Sequence, residues 1–302
     1  MVGEHVPVLL CEVLTLLSPQ PGDVVLDGTV GGGGHAKALL ERVLPDGMLI
    51  ALDRDQETLE HAARVLPADG DRCVLRHADF ADFASVLDRL GAAWANVALL
   101  DLGVSSFQLD EPDRGFSFKQ DGPLDMRMDR STGRSAADVV NELAEEDLSE
   151  VFATYGEERF SRRIAARIVR HRREEPITTT GQLARLVVAA QPKSRRGRWQ
   201  RLHPATRVFQ SLRVYLNHEL ESLEVFCRRI PERLAPGGRV GVISFHSLED
   251  RIVKRSFKRS ADEGVFELMT RKPVTPSKDE RRRNPRSRSA KLRVARRIEG
   301  PA

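Results

Sequence analysis

Val24-Val25-Leu26-Asp27-Gly28-Thr29-Val30-Gly31-Gly32-Gly33-Gly34-His35 runs from a short apolar strand through a glycine-rich turn into the start of a helix. Glycines at such a junction permit positive φ and bring a ligand against bare backbone. The helix behind them presents N–H groups with no partner in the helix. Downstream, a helix expected near His35–Val43 is closed by Pro45-Asp46-Gly47, and Met48-Leu49-Ile50-Ala51-Leu52 forms a second strand ending in Asp53. A helix over Gln56–Leu66 follows, then a third strand, Cys73-Val74-Leu75, ending near Asp79-Phe80. A helix over Ala84–Leu90 and a fourth strand, Val97-Ala98-Leu99-Leu100-Asp101, continue the alternation. Upstream, Leu10, Val13, Leu14 and Leu17 have helical spacing within Val8–Leu17, which Pro19 and Pro21-Gly22 stop. Strands alternating with helices imply an α/β fold with a doubly wound, Rossmann-like parallel sheet.

The alternation then pauses. Residues 106–134 read as a long ordered loop, followed by helices near Ser135–Leu143, Asp147–Tyr155, Glu158–Arg173 and Thr180–Ala190. Ser135 with Asp138 has the pattern of a capping box. Lys193–Arg201 is a basic loop. One long helix is expected over about Pro204–Ile230, with Val208, Leu212, Leu216, Leu220 and Leu223 on one stripe. Leu234-Ala235-Pro236-Gly237-Gly238 then turns into a fifth strand, Val240–Phe245, and Lys291–Ile298 forms the last. Because strands resume, the helical block is an insertion. Residues 1–105 and 204–302 make up the sheet domain, the second part carrying a basic tail, and 106–203 are the inserted loop and helices.

At 302 residues with 40% hydrophobic and 30% charged side chains, the chain can bury a sizeable core. No stretch approaches the ~18 apolar residues of a membrane span, and Met1-Val2-Gly3-Glu4-His5 lacks a signal-peptide layout. A soluble, cytoplasmic protein is expected. Cys11, Cys73 and Cys227 have no paired spacing, which excludes a disulfide framework and a zinc knuckle. They are expected as buried small hydrophobes, and no metal site is expected. The net charge of +4 conceals an asymmetry. Residues 1–158 carry 30 acidic and 12 basic side chains, while 159–302 carry 14 acidic and 36 basic. That split points to a small-molecule part joined to a polyanion-facing part. The basic clusters are Arg159–Arg173, Lys193–Arg201 around Trp199, and Arg281–Arg288. Trp199 offers a stacking surface for an unpaired base.

Asp53 lies at the end of the strand after the glycine turn, where a carboxylate accepts hydrogen bonds from ribose hydroxyls. Two cofactor classes compete. Gly31-x-Gly33-x-x-Ala36 fits the dinucleotide fingerprint, but a pyrophosphate would sit poorly beside Asp27. S-adenosylmethionine has no phosphate and carries a cationic sulfonium and amino group. Asp27, Asp53, Asp79 and Asp101 at or just beyond four successive strand ends suit that cation better.

The Leu-x-Pro-Gly-Gly turn resembles that of class I S-adenosylmethionine-dependent methyltransferases. More specific are His5-x-Pro7-Val8-Leu9-Leu10, the Asp27–His35 turn, Asp53-Arg54-Asp55 and Leu100-Asp101-Leu102-Gly103-Val104-Ser105-Ser106-x-Gln108-Leu109-Asp110. Arg114-Gly115-Phe116-Ser117-Phe118, Asp121-Gly122-Pro123-Leu124-Asp125-Met126-Arg127-Met128 and Ser244-Phe245-His246-Ser247-Leu248-Glu249-Asp250 add to these. Together they closely resemble the ribosomal RNA small subunit methyltransferase H family, bacterial 16S rRNA (cytosine-N4)-methyltransferases. The likeness runs from His5 to the arginine-rich tail. It implies a class I methyltransferase sheet with an inserted helical substrate-recognition domain. It also implies cofactor contacts at Gly33, Gly34 and His35, at Asp53 by the ribose, at Phe80 near adenine, and at Asp101 and Gln108 around the methionine end. The implied substrate is a decoding-centre cytidine of 16S rRNA in the small ribosomal subunit.

Amino-group methyltransferases commonly end strand four in Asp-Pro-Pro-Tyr; this chain has Asp101-Leu102-Gly103-Val104. Asp101 therefore serves the cofactor, the base or both, and no catalytic base is assigned. His246 either faces the ligand edge or orders its own loop. Two other readings stay open, an NAD-dependent oxidoreductase and a non-enzymatic RNA-binding factor. A homodimer is left open.

Overall fold

The computed structural model describes residues 7–67, 72–192 and 203–298. His5, the Lys193–Arg201 loop and Trp199 lie outside the described residues. The chain forms two compact units, one built from the chain up to Ser106 and from Leu220 onward, the other from Phe107–Glu219.

The first unit begins with α1 (Leu10–Leu17), β1 (Val24–Asp27), α2 (Gly34–Val43), β2 (Met48–Asp53) and α3 (Gln56–Val65). β3 (Cys73–His77), α4 (Phe83–Arg89), β4 (Ala95–Asp101) and the start of α5 (Ser106–Asp110) complete its first half. Among the described residues the sheet has seven strands in the order β3-β2-β1-β4-β5-β7-β6. The first five strands are parallel, with Leu26 opposite Ile50 on one side and Ala98 on the other. The order reverses between β1 and β4, so their carboxyl ends open a crevice of the kind in which doubly wound sheets hold ligands.

Period-2 alternation sorts the strand residues to the two faces. Leu26, Ile50, Leu52, Ala98, Leu100, Val240 and Val242 pack on one side with Phe83, Phe226 and Phe257. Val25, Leu49, Ala51, Val97, Leu99 and Ile243 pack on the other with Val13, Leu17, Leu39 and Leu59. These strands read as continuous apolar runs because both faces are covered.

The second unit is helical: α6 (Ala136–Glu142), α7 (Glu145–Thr154), α8 (Ser161–Arg172), α9 (Thr180–Ala190) and α10 (Thr206–Leu216). Val140, Leu148, Phe152, Ile164, Ile168, Leu183, Val187, Val208 and Leu212 are fully buried there. The expected capping box of α6 forms, with Ser135 and Asp138 bonded reciprocally. The long segment before it is pinned by Arg114, buried, which donates from Nη2 to the carbonyls of Arg127 and Met128.

Several local expectations need correction. The single helix over Pro204–Ile230 is two, because the chain breaks at Asn217-His218, where His218 has φ 50°. Asn217 caps α10 and is tied elsewhere: its Nδ2 donates to Met126 O and its Oδ1 accepts from Met128 N. An unbroken apolar stripe did not register a side chain recruited by a loop ninety residues away. α11 (Glu219–Arg233) then buries Leu223, Phe226, Cys227 and Ile230 on the sheet.

β5 (Leu234–Ser244) starts earlier than expected. Leu234 pairs with Ala95 and Arg239 with Val97, so Ala235–Gly238 bulge out between them. A Cβ on Gly238 would lie 2.8 Å from Ala235 O and 2.9 Å from Asn96 O. α12 (Ser247–Asp262), β6 (Phe266–Leu268) and α13 (Lys278–Arg283) follow, and β7 (Lys291–Arg297) runs antiparallel between β5 and β6. Cys73 and Cys227 are buried, but Cys11 is exposed on α1. Among the described residues no helix is long and apolar enough to cross a membrane.

Candidate cofactor site

The turn after β1 is built from backbone bonds to its neighbours. Gly28 N donates to Leu99 O and Val30 N to Leu52 O, so the loop is stitched to β4 on one side and β2 on the other. Gly33, the N-cap of α2, has φ 81°, a left-handed conformation that glycine adopts without strain. A Cβ on Gly28 would lie 2.4 Å from Leu100 Cδ2 and 3.0 Å from Phe80 Cβ, and one on Gly34 2.4 Å from Pro7 Cγ. The backbone there is closely enclosed.

Three of the strand-end carboxylates gather on this turn. Asp27, buried, accepts from Thr29 N on Oδ1, while its buried Oδ2 has no hydrogen-bond partner among the described residues. Asp53 accepts from Gly31 N and Asp55 N, one on each oxygen. Asp101 has its backbone N bonded to Thr29 Oγ1 at 2.6 Å; its Oδ2 lies 3.4 Å from His35 Nδ1, and its buried Oδ1 has no partner among the described residues. His35 is itself buried, with Nε2 2.9 Å from Val8 O.

The fourth carboxylate is committed elsewhere. Asp79 Oδ1 accepts from Ala81 N, and Oδ2 accepts from Ser222 Oγ and lies 3.3 Å from Arg54 Nη1. It caps a turn and closes an ion pair with Arg54, so it does not join the others toward a cationic cofactor as the sequence suggested. Phe80 is in the core, edge-on to Phe226 at 6.1 Å, and its Cβ flanks Gly28. Gln108 is buried on α5 in the other unit. The roles of Thr29 and the Val8 carbonyl are not legible from sequence pattern; a threonine inside a glycine run was the available signal for the first.

Burial pushes the Asp27 carboxyl up to about 6 and that of Asp53 up to about 7. Burial alone would lower the His35 pKa, but the Asp101 and Asp27 carboxylates outweigh it and hold the ring above its ordinary value. The site thus has more anionic capacity than it satisfies internally. Two buried acceptor oxygens with no partner are costly unless something donates to them. A ligand bearing cationic or N–H groups would meet that need, whereas a pyrophosphate would be repelled.

His246 sits at the N-cap of α12, where it and Glu249 form a capping box: Glu249 Oε2 accepts from Phe245 N and His246 N. Its Nε2 is 3.1 Å from Glu249 Oε1. The geometry therefore carries the loop-ordering reading of this histidine. Burial pushes the Cys227 thiol up to about 12, which leaves it inert.

The MraW methylase family matches this chain over residues 3–298. Proteins described as ribosomal RNA small subunit methyltransferase H are similar over nearly the same span. That of Syntrophotalea carbinolica is 52% identical, covering 98% of this chain and 99% of the relative. That of Pelobacter propionicus is 50% identical with the same coverage. That of Syntrophobacter fumaroxidans is 48% identical over 99% of this chain and 98% of the relative. Likeness at this level extends through both compact units, so the sheet, the glycine turn and the helical insertion are inherited as one protein: the chain belongs to the MraW methylase family.

Proposed function

We propose that this chain transfers a methyl group from S-adenosylmethionine to the exocyclic N4 amine of a decoding-centre cytidine in 16S rRNA of the small ribosomal subunit. The observation that carries the donor half is the pair of buried oxygens beside the glycine turn, Asp27 Oδ2 and Asp101 Oδ1, that have no partner among the described residues. Their anionic character suits a cationic donor. The acceptor half is supported by the names of the relatives and by the basic second half of the chain. When bound, S-adenosylmethionine supplies an electrophilic methyl group on a positively charged sulfur.

The residues divide the work by position. Gly33 and Gly34 form the turn against which the ligand lies, Asp53 accepts the ribose hydroxyls, and Phe80 supplies an apolar wall for adenine. Asp101 and Gln108 serve the methionine end, and His35 holds the Asp101 carboxylate by one oxygen so that the other stays directed. The cytosine amine is a weak nucleophile because its lone pair is delocalised into the ring. Alignment with the breaking bond is then the main lever, and positioning can contribute as much as ~7–11 kcal/mol. The target base must also leave its stack, at a cost of about a few kcal/mol. The exposed arginines of α8 and α13 offer phosphate contacts for that RNA.

Nucleoside mass spectrometry of 16S rRNA from cells with and without the active protein tests the reading. Loss of one N4-methylated cytidine in its absence is expected. An unchanged modification profile would defeat the proposal and favour a chain that binds RNA without methylating it.

A further inference from the structure

The helical unit carries an open groove of about 560 Å³ that the cofactor chemistry does not use. Phe118 and His203 line it with their rings 4.6 Å apart and tilted by 34°, and Phe209 braces Phe118 edge-on at 4.8 Å. His203 is exposed, and its Nδ1 accepts from Ala205 N. Val188, 36% exposed, gives an apolar flank. The rim carries Lys119 and Arg185, both exposed. The one acid in the lining among the described residues, Asp121, is already engaged: it accepts from Gly181 N at 2.7 Å, and that bond, with Arg185 nearby, holds its carboxyl below the usual range.

An aromatic pair whose histidine is exposed, an apolar flank and two exposed cations in the lining match a single unstacked nucleotide. Bases stack on aromatic faces regardless of identity, and the phosphate answers the cations. The volume falls within the ~300–1,000 Å³ of small-ligand sites. The same unit presents the exposed Arg162, Arg163, Arg167 and Arg170 of α8, which would carry the strand on. We infer that this groove holds one unpaired nucleotide of the RNA substrate, its base on the Phe118–His203 pair and its phosphate at Lys119 and Arg185. The inference rests on the reading of the chain as an RNA methyltransferase. It assigns the groove to a nucleotide that is bound rather than methylated.

The test uses the full chain and a fluorescein-labelled, unstructured oligocytidine in anisotropy titrations at several salt concentrations. His203→Ala removes half of the platform and is expected to weaken binding about 5- to 150-fold, the range for removal of one base stack. His203→Phe should restore it. Lys119→Gln with Arg185→Gln should instead flatten the log–log salt dependence, by ~0.7 for each phosphate no longer neutralised. A circular dichroism spectrum and melting temperature unchanged in every variant certify the fold of the helical unit, and unchanged calorimetric S-adenosylmethionine affinity certifies that of the other unit. If folded His203→Ala and the double variant keep wild-type RNA affinity and salt slope, the groove belongs to something other than RNA and the inference is overturned. Methylation of small-subunit RNA by the wild-type chain separates the two readings. Activity with an inert groove defeats only this inference, whereas no activity defeats the function on which it rests.

Discussion

His35, buried, and Asp101, half-buried, form a pair in which Nδ1 faces Oδ2 at 3.4 Å, while the opposite ring nitrogen meets the Val8 carbonyl at 2.9 Å. A carbonyl only accepts, so Nε2 must carry a proton. A neutral ring would then aim the Nδ1 lone pair at a carboxylate. Protonation removes that conflict, and the raised pKa agrees with it. We therefore expect the His35 imidazole to titrate above ~6.5 by NMR, and to fall in Asp101→Asn. A His35 pKa that does not respond to Asp101→Asn would rule out the pairing. The sign for stability follows. The pair's contribution is complete below the ordinary histidine pKa and is lost as pH rises through the higher folded value.

Asp27 and Asp53 behave in the same direction for a different reason. Their carboxyls titrate near about 6 and about 7 in the fold, against ~3.9 in an unfolded chain. Without cofactor, each favours its protonated form, so stability is greatest below pH ~4 for this contribution and declines as pH rises to about 7. Affinity for cationic S-adenosylmethionine should climb over the same window as the carboxylates ionise. Asp27→Asn should flatten the melting temperature against pH and weaken binding. Asp53→Ala, losing a charged hydrogen-bond partner at ~1.5–3 kcal/mol, should weaken it by about 10- to 150-fold. Calorimetry across pH checks both, and a pH-independent affinity in the wild type would contradict the assignment.

Asn217 tests the architecture of the helical unit. Its side chain satisfies Met126 O and Met128 N in a buried setting. Asn217→Leu strands both, at ~1–3 kcal/mol each, and should lower the denaturation midpoint while leaving the urea m-value unchanged. Asn217→Asp keeps the acceptor for Met128 N but loses the donor to Met126 O, so an intermediate loss is expected. Equal stability of Asn217→Leu and wild type would remove the bridge from the account of why α10 ends there.

The contrast between Asp53 and Asn217 shows what the sequence could disclose. Asp53 ends an apolar run that follows a glycine turn, so local pattern alone predicts its place at the end of β2, where it accepts from Gly31 N of that turn. The same holds for the sheet, whose strands are buried on both faces and therefore read as unbroken apolar stretches. Asn217 sits within an uninterrupted helical stripe, and its partners are in a loop about ninety residues earlier; nothing local marks it. Asp79 fails in the opposite sense: its position at a strand end matches the other carboxylates, but Arg54 and Ser222 occupy it. Register shows in sequence. Which neighbour reaches a side chain first does not. His35 needed both kinds of information, because its partner Asp101 lies on a strand added later in the chain.

The arginine-rich tail allows a test that needs no cofactor. α13 buries none of its residues, and Arg281, Arg282 and Arg283 are all exposed. Exposed ion pairs contribute little to stability, and the pair Arg282 makes with Asp279 is long, at 3.8 Å. Replacing the three arginines by glutamine should therefore leave the melting temperature nearly unchanged. If this surface meets rRNA, affinity should fall for every sequence offered, and the log–log salt slope should shrink by ~0.7 to 0.9 for each phosphate that loses its cation. Base preference should stay as it was, because phosphate contacts position the RNA without reading it. Titrations against small-subunit RNA and an unrelated RNA of equal length decide the matter: a loss confined to one sequence would mean that these arginines read bases, and no loss would make the tail a solvated surface.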